Sequence, residues 1–311
     1  MPGKIMLTTC SLNHIAQAKS LGDSVLRYAP EYKLVIGLVD KLEARIPAEY
    51  YAPHQLIEAH ELNIPCFDEM CRRYNVLELN CALKSFFTAH VLEQFAPDSF
   101  IFLDSDMLLF DSLKTVEDEL AAASILLTPH ILSPFPDDNS SPKEKDILKT
   151  GMFNAGFYAL SNDSTAKAFV DWWKERMKDQ CYERPKEGLN VDQKWLNFVP
   201  LYFPNVKVLR HPGCNAAYWN LHERKIEKNG NSFTVNGEPL IFYHFSGYSL
   251  QQPDKISRHQ ARFAMDTNPA VKDLFSQYRG LLIKNRHEEM LQLSCYYKKE
   301  KGLLQKLGLK K

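Results

Sequence analysis

The sequence has no long hydrophobic run, no excess of charge of either sign and no paired-cysteine motif. Each absence narrows what it encodes. Across 311 residues, Asp, Lys or Glu interrupts every apolar stretch before it reaches the roughly 20 residues of a bilayer-spanning helix. Lys plus Arg number 38, and so do Asp plus Glu. A net charge of zero is unlike a chain that coats nucleic acid, so no nucleic-acid partner is expected. The seven cysteines, Cys10, Cys66, Cys71, Cys81, Cys181, Cys214 and Cys295, are odd in number and scattered. They form no C-x-x-C pair and no zinc-ligand spacing. Read as reduced thiols, they point to a cytoplasmic protein. The apolar start, Ile5-Met6-Leu7, is too short for the core of a signal peptide. No internal repeat and no low-complexity block occurs.

What is present is an alternation of short apolar runs and longer amphipathic ones. Lys4–Cys10 reads as a buried strand, 13–28 as a helix, 34–39 as a second strand and Val76–Phe95 as a long helix. Ser99–Leu103 and 124–128 read as further strands. The repetition predicts an α/β fold with a mixed, mainly parallel sheet flanked by helices. Residues 134–142, rich in Pro, Asp, Asn and Ser, form a loop. Beyond it, Phe153–Leu160 is strand-like and 164–179 helical, and 190–198 reads as a short helix capped by Asn190. Asn229-Gly230 and Asn236-Gly237 signal a hairpin. Residues 269–297 read as helix. The expected organisation is a main domain over 1–265 and a helical extension over 266–311.

The segment richest in chemistry is Phe100-Ile-Phe-Leu-Asp104-Ser105-Asp106-Met-Leu-Leu-Phe110. Positions i and i+2 of an extended chain face the same way. Asp104 and Asp106 therefore point together beyond the strand's carboxyl end, where open α/β sheets bind ligands. Two clustered carboxylates repel unless a cation joins them, and Mg²⁺ or Mn²⁺ with phosphate completing the shell fits. A polar strand end is the plainer reading of the same tripeptide.

This segment resembles the D-x-D region of GT-A nucleotide-sugar glycosyltransferases, particularly the family-eight retaining enzymes and their bacterial polysaccharide-type relatives. Further segments agree in order: Thr8-Thr9-Cys10, Ala82-Leu83-Lys84-Ser85, Phe153-Asn154-Ala155-Gly156, Asn190-Val-Asp192-Gln193-Lys-Trp-Leu-Asn197 and His244-Phe-Ser-Gly247. The resemblance covers roughly residues 4–262. It implies a GT-A fold and a metal-dependent glycosyltransferase (a hexosyltransferase). The enzyme would move a hexose-type sugar from a nucleotide diphosphate, with uridine favoured, to a saccharide or lipid-linked glycan acceptor, with retention. It assigns the metal, Mn²⁺ or Mg²⁺, to Asp104, Asp106 and His244. Thr8, Thr9, Cys10, Lys84, Asp104 and Ser105 would hold the nucleotide. Asn154, Ala155 and Asp192 would hold the sugar, and Asp192, Gln193 and Asn154 would serve catalysis. The family's Lys-Pro-Trp segment is absent, so Lys255, Arg258 or His259 is expected to supply its charge against the diphosphate. Polysaccharide biosynthesis is the implied setting.

Each residue also has a plainer reading. Asn154 fits a turn, Asp192 an acid at a helix N-terminus, and His244 a core histidine within Leu-Ile-Phe-Tyr-His-Phe. Trp172 and Trp173 read as core or helix-face residues; Tyr218 and Trp219 are candidates for stacking on an acceptor sugar. Two other functions share the motif: a Mg²⁺-dependent D-x-D phosphatase and a sugar-nucleotide-binding module without turnover. Against the phosphatase, the fifth motif position is Leu108 rather than Thr or Val. A sugar nucleotidyltransferase needs a glycine-rich loop after the first strand, and residues 8–13 hold no glycine. The tail 298–311 carries six lysines against one glutamate, interspersed with leucines. It reads either as a peripheral contact with the inner face of an anionic membrane or as a solvated end.

Overall fold

The computed structural model describes residues 3–297. The basic tail, and the expectation of a membrane-facing segment there, lie outside the described residues. Seven strands form the central sheet: β1 (Lys4–Cys10), β2 (Tyr32–Leu38), β3 (Gln55–Glu58), β4 (Ser99–Leu103), β6 (Ile125–Pro129), β7 (Phe153–Leu160) and β10 (Val206–Val208), in the order β10-β6-β7-β4-β1-β2-β3. All pairings are parallel except those of β7, which runs antiparallel to both β4 and β6. The mixed, mainly parallel sheet flanked by helices is therefore the architecture expected. Strands β1 and β2 are buried along nearly their whole length, which is why they read as continuous apolar runs rather than alternating ones.

The helix Val76–Phe95 packs on the sheet beside the helix Ser164–Met177, which reaches the sheet through Trp173 on Tyr158. A capping box starts it: Glu78 N–H donates to Asn75 Oδ1 at 2.9 Å, and Asn75 N–H to Glu78 Oε2 at 3.0 Å. Ala96, at φ 42°, ends it. Phe87, Phe102, Tyr158, Phe169 and Trp173 are fully buried across this interface, each contributing about 2–3 kcal/mol by leaving water. The packing is close enough to dictate a glycine. A Cβ on Gly37 of β2 would lie 2.8 Å from the Phe87 ring.

A smaller sheet sits beyond the carboxyl edge. It joins β5 (Met107–Leu109), β11 (Ala216–Ala217) and β15 (Phe242–His244), with β15 central. The hairpin expected near residues 226–239 is a three-stranded meander of β12 (Ile226–Asn229), β13 (Ser232–Val235) and β14 (Glu238–Pro239). Asn236 and Gly237 both take positive φ at its second turn, the conformation a two-residue type I′ turn requires. Strands β8 (Glu183–Arg184) and β9 (Leu189–Asn190) pair with each other.

Two local expectations are corrected. The helix expected over 190–198 is a 3₁₀ helix, Gln193–Phe198. Asp192, not Asn190, holds its N-cap position and makes no side-chain cap; Asn190 is drawn into β9 instead. The helix expected over 269–297 is the helix Pro269–Lys284 followed by the single turn His287–Met290. Between them Arg286 takes a left-handed backbone, φ 57°, which no continuous α-helix accommodates.

Burial pushes the imidazoles of His54 and His287 down to about 4 from the ordinary 6.5. Both are held neutral, so the unfolded chain binds more protons in the window between these values. Unfolding free energy is therefore expected to fall as pH drops from about 6.5 to about 4. Urea unfolding across that window is expected to give a shallower pH slope for His54→Gln than for the wild type. An unchanged slope would contradict the assignment.

Candidate active site

The carboxyl ends of the parallel strands β1, β4 and β6 share one edge. Because β7 runs the other way, its first residues, Phe153-Asn154-Ala155-Gly156, reach that same edge. Asp104 and Asp106 lie in the turn between β4 and β5. Strand β15 pairs antiparallel with β5 and sets His244 opposite Met107, and Phe245 N–H donates to Asp106 O at 2.9 Å. Three chain segments distant in sequence thereby converge on one point.

The convergence divides a cleft. On one side a cavity of about 450 Å³ is lined by Thr9, Cys10, Ser11, His14, Gln17 and Asn80, among others. On the other a cavity of about 670 Å³ is lined by His130, Asn154, Ala155, Asp192, Gln193 and Trp219, among others. Leu77, Cys81, Lys84, Asp104, Asp106 and Arg258 line both. Ser105 lines the first cavity, while Thr8 is wholly buried behind it. His259 lines the second. Lys255 is exposed and lines a separate depression with Gly247 and Arg258.

Lys84 is the buried cation at the junction. Its Nζ lies 2.7 Å from Asp104 Oδ1 and 3.3 Å from Asp192 Oδ2, and it donates to Ala155 O at 3.3 Å. Burial alone would lower its pKa, but Asp104 and Asp192 outweigh that and hold it well above the ordinary lysine value. Burial raises Asp192 despite Lys84. Burial would also raise Asp106, but the adjacent His244 brings it below the usual carboxylate range.

Asp104, Asp106 and His244 each offer a ligand atom, all within 4.8 Å of one another. His244 Nε2 is 3.0 Å from Asp106 Oδ1. Two carboxylate oxygens and one imidazole nitrogen form a donor set for a divalent cation. The floor of this set is Gly156. A Cβ there would lie 2.6 Å from His244 Cε1, 2.8 Å from Asn154 Oδ1 and 2.9 Å from Asp104 Oδ2. Only a residue without a side chain leaves these three groups in place, so the residues fit a bound cation.

The orientation of His244 is fixed through a chain anchored on the backbone. Ala155 N–H donates to Gln193 Oε1 at 3.2 Å, and Gln193 Nε2 donates to Thr150 O at 3.1 Å. Those two backbone groups set which way the Gln193 amide faces. Asn154 Nδ2 then donates to Gln193 Oε1 at 3.0 Å, leaving Asn154 Oδ1 to accept from His244 Nδ1 at 3.2 Å. An amide oxygen can only accept, so Nδ1 of His244 donates to it, and the ring is oriented with Nε2 toward Asp106. His130 supports the chain: Nε2 accepts from Asn154 at 3.4 Å and Nδ1 donates to Met152 O at 3.2 Å. Burial pushes His130 down to about 4, so it stays neutral. The amides of Asn154 and Gln193 are thus directed at the protein itself.

Trp219 is buried, with its ring edge-on to His244 at 5.1 Å; Tyr218 beside it is partly exposed and lines the cleft. Trp173 is fully buried and donates to Asp192 O at 3.3 Å. Sequence reasoning passed over His14 and His130. Each follows the carboxyl end of a strand, β1 or β6, and that position was the available signal.

No protein-family model matches the chain. Two uncharacterized Bacillus subtilis (strain 168) proteins are similar to it. YfnF is 31% identical over 181 residues, which take in 57% of this chain and 58% of that relative. YfnD is 27% identical over 254 residues, 78% of this chain and 77% of the relative. Among solved structures, galactosyltransferase LgtC in complex with donor and acceptor sugar analogues has a TM-score of 0.53 at 14% identity, covering 90% of this chain and 95% of LgtC. The bifunctional glycosyltransferase WbbM has a TM-score of 0.53 at 12% identity, covering 93% of this chain and 51% of WbbM. The fold is that of the GT-A glycosyltransferases.

The Gly156 contacts give a direct test of the cation site. Gly156→Ala is expected to weaken Mn²⁺ binding by about tenfold or more, read as free Mn²⁺ by electron paramagnetic resonance, with the circular dichroism spectrum unchanged. Wild-type affinity in the folded variant would contradict the site.

Proposed function

We propose that the protein is a metal-dependent hexosyltransferase. It would move a hexose-type sugar from a uridine diphosphate donor to a saccharide or lipid-linked glycan acceptor in the cytoplasm, with retention and with Mn²⁺ or Mg²⁺ at Asp104, Asp106 and His244. The observation that carries this reading is the placement of Asp104 and Asp106, with Lys84 and Arg258, on the wall shared by two cavities, with His244 beside them on the larger one. One cavity suits a nucleotide and the other a sugar with its acceptor. The fold shared with LgtC supports it, as LgtC binds donor and acceptor sugar analogues. Uridine, retention and the polysaccharide setting come from the motif resemblance.

The cation, when bound, supplies Lewis-acid stabilisation of the charge that grows on the leaving diphosphate. Lys84 spends its contacts on Asp104, Asp192 and Ala155 O, so its role is to hold the two carboxylates in place. Arg258 lines both cavities and, among the described residues, has no carboxylate partner. It is the cation placed to meet the diphosphate. Thr9, Cys10 and Ser11 receive the nucleoside. Asp192 lines the larger cavity, with Lys84 Nζ 3.3 Å from its Oδ2. Its carboxylate sets negative charge on the side of the cleft that faces sugar hydroxyls and the positive charge developing at the anomeric carbon. In the transfer, the bond from that carbon to the phosphate oxygen breaks. The acceptor hydroxyl oxygen bonds to the carbon on the same face, and its proton passes to the diphosphate.

The reading is tested by nucleoside diphosphate release from a panel of nucleotide sugars with Mn²⁺, beside a thermal-shift screen of the same donors. Release of phosphate from simple phosphomonoesters instead would favour a phosphatase, and binding without release a non-catalytic module.

Asp106→Asn is expected to lower turnover by about 100-fold or more while the fold persists, since it removes a ligand charge and little packing. Normal turnover in the folded variant, or full wild-type activity in excess chelator, would refute metal dependence. Asp192→Ala is expected to lose turnover while calorimetry gives a nucleoside diphosphate affinity within about twofold of wild type. Loss of nucleotide affinity in proportion to turnover would place Asp192 on the nucleotide instead.

A further inference from the structure

The helix Glu144–Thr150 has two faces with different surroundings. Asp146, Ile147 and Thr150 line the larger cavity. On the outside, Lys145, Leu148 and Lys149 follow the i, i+3, i+4 spacing of one helical stripe, and Met152 follows just past the helix end. Leu148 is 62% exposed and Met152 52%, in a chain whose other large apolar side chains are mostly buried. This stripe adjoins the segment after Asp192. Met152 N–H donates to Asn197 Oδ1 at 2.9 Å, and a Cβ on Gly151 would lie 3.3 Å from Lys194 Cα. There Phe198, Leu201 and Tyr202 again follow i, i+3, i+4, and Leu201 is 77% exposed. Phe198 and Tyr202 stack at 5.3 Å, Tyr202 meets Trp172 at 5.6 Å, and Trp195 lies 6.3 Å from Phe198.

We propose that this aromatic and aliphatic face is a membrane-docking surface, seated on a bilayer containing anionic lipid beside the mouth of the acceptor cavity. It deepens the lipid-linked acceptor reading above and rests on it. The composition decides between occupants. Trp, Tyr and Phe with flanking lysines are the residues of a bilayer interface, whereas lysine is depleted from protein–protein contacts. A twofold contact between copies would bring together two patches that each carry Lys145, Lys149 and Lys194, which like-charge repulsion opposes. The acids nearby are engaged. Glu144 accepts from Phe135 N–H at 2.8 Å, Asp146 from Lys143 N–H at 3.0 Å with Lys149 Nζ 3.4 Å away, and Asp171 lies 2.9 Å from Lys174. Lys145 and Lys194 have no carboxylate partner among the described residues and are left to anionic headgroups. No helix among the described residues is long and apolar enough to cross a membrane, so the contact is peripheral. One short helix then has its inner face on the acceptor and its outer face on the surface that holds a lipid-linked acceptor.

The test is co-sedimentation of the full chain with vesicles of phosphatidylcholine alone and with 30% phosphatidylglycerol. The wild type is compared with the full-length double variant Leu148→Glu, Leu201→Glu. Both side chains are exposed, so the fold and donor hydrolysis are expected to be unchanged. Bound fraction on anionic vesicles is expected to drop about fivefold or more. A second measurement needs no charged variant. Brominated lipid in the anionic vesicles is expected to quench the wild-type tryptophan emission, and the quenching to shrink in Trp172→Phe and Trp195→Phe, since Trp173 and Trp219 are buried. Equal sedimentation of the double variant, or bound protein without quenching, would move membrane contact away from this face. No vesicle binding, with a wild-type dimer that the double variant dissolves, would assign the face to a second copy. Donor hydrolysis is scored without vesicles, so its absence would refute the glycosyltransferase reading and leave the vesicle result standing on its own.

Discussion

The site depends on one buried ammonium. Asp104 and Asp192 belong to segments nearly ninety positions apart, and both are drawn to one junction at the wall of the cleft, where unpaired carboxylates repel. Lys84 sits between them on the helix Val76–Phe95, which is enclosed on most sides and cannot shift without disturbing the main core. Removing one member of such a buried set leaves a charge without its partner, a loss of about 3–5 kcal/mol. The pairing therefore ties the geometry of the cleft to the stability of the domain. It also frees Asp106, which Lys84 does not bridge, to face His244.

The division between groups that orient and groups that remain open follows from hydrogen-bond accounting. Asn154 and Gln193 have their amides fully directed at neighbours whose donor or acceptor character is fixed by the backbone. They behave as a lock on the imidazole of His244, with His130 held neutral as the terminal acceptor. Arg258 lines both cavities without a carboxylate partner among the described residues, which leaves its charge available to a ligand. The motif Phe153-Asn-Ala-Gly156 thus combines two constraints on one strand end: an amide that orients the imidazole of His244, and a glycine that leaves room for His244, Asn154 and Asp104.

Much of this was legible in the chain. Strands β1, β2, β4, β6 and β7 follow apolar runs, and the helix Val76–Phe95 carries its own capping box. Asp104 and Asp106 could be paired from their spacing alone. The reversed direction of β7 was not legible, because an isolated apolar run carries no sign of which way it pairs. Yet that reversal is what brings Asn154 and Gly156 to the ligand edge. Asp192 read equally well as a helix-cap acid until its side chain was found turned away from the helix and toward Lys84. His244 read equally well as a core histidine, and in burial it is one. Its partner Asp106 becomes visible only through the register of β15 on β5. The break at Arg286 was hidden because the apolar pattern continues across it.

The same limitation explains why the outer face of the helix Glu144–Thr150 escaped the sequence. Its outward residues Lys145, Leu148 and Lys149 repeat with helical spacing, but so do its inward ones, and seven residues are too few for periodicity to say which stripe meets the core. Only the fold separates them, by placing Ile147 against the cleft and Leu148 in solvent. The neighbouring aromatics pose the same ambiguity. Trp172 and Trp173 are adjacent in sequence, yet one is fully enclosed against Phe169 while the other stands in the surface row with Tyr202. A helix that borders both the larger cavity and an exposed aromatic row joins two surfaces through a few residues of rigid backbone. The cavity wall and the outer row are thereby held in one fixed relation by the same short element.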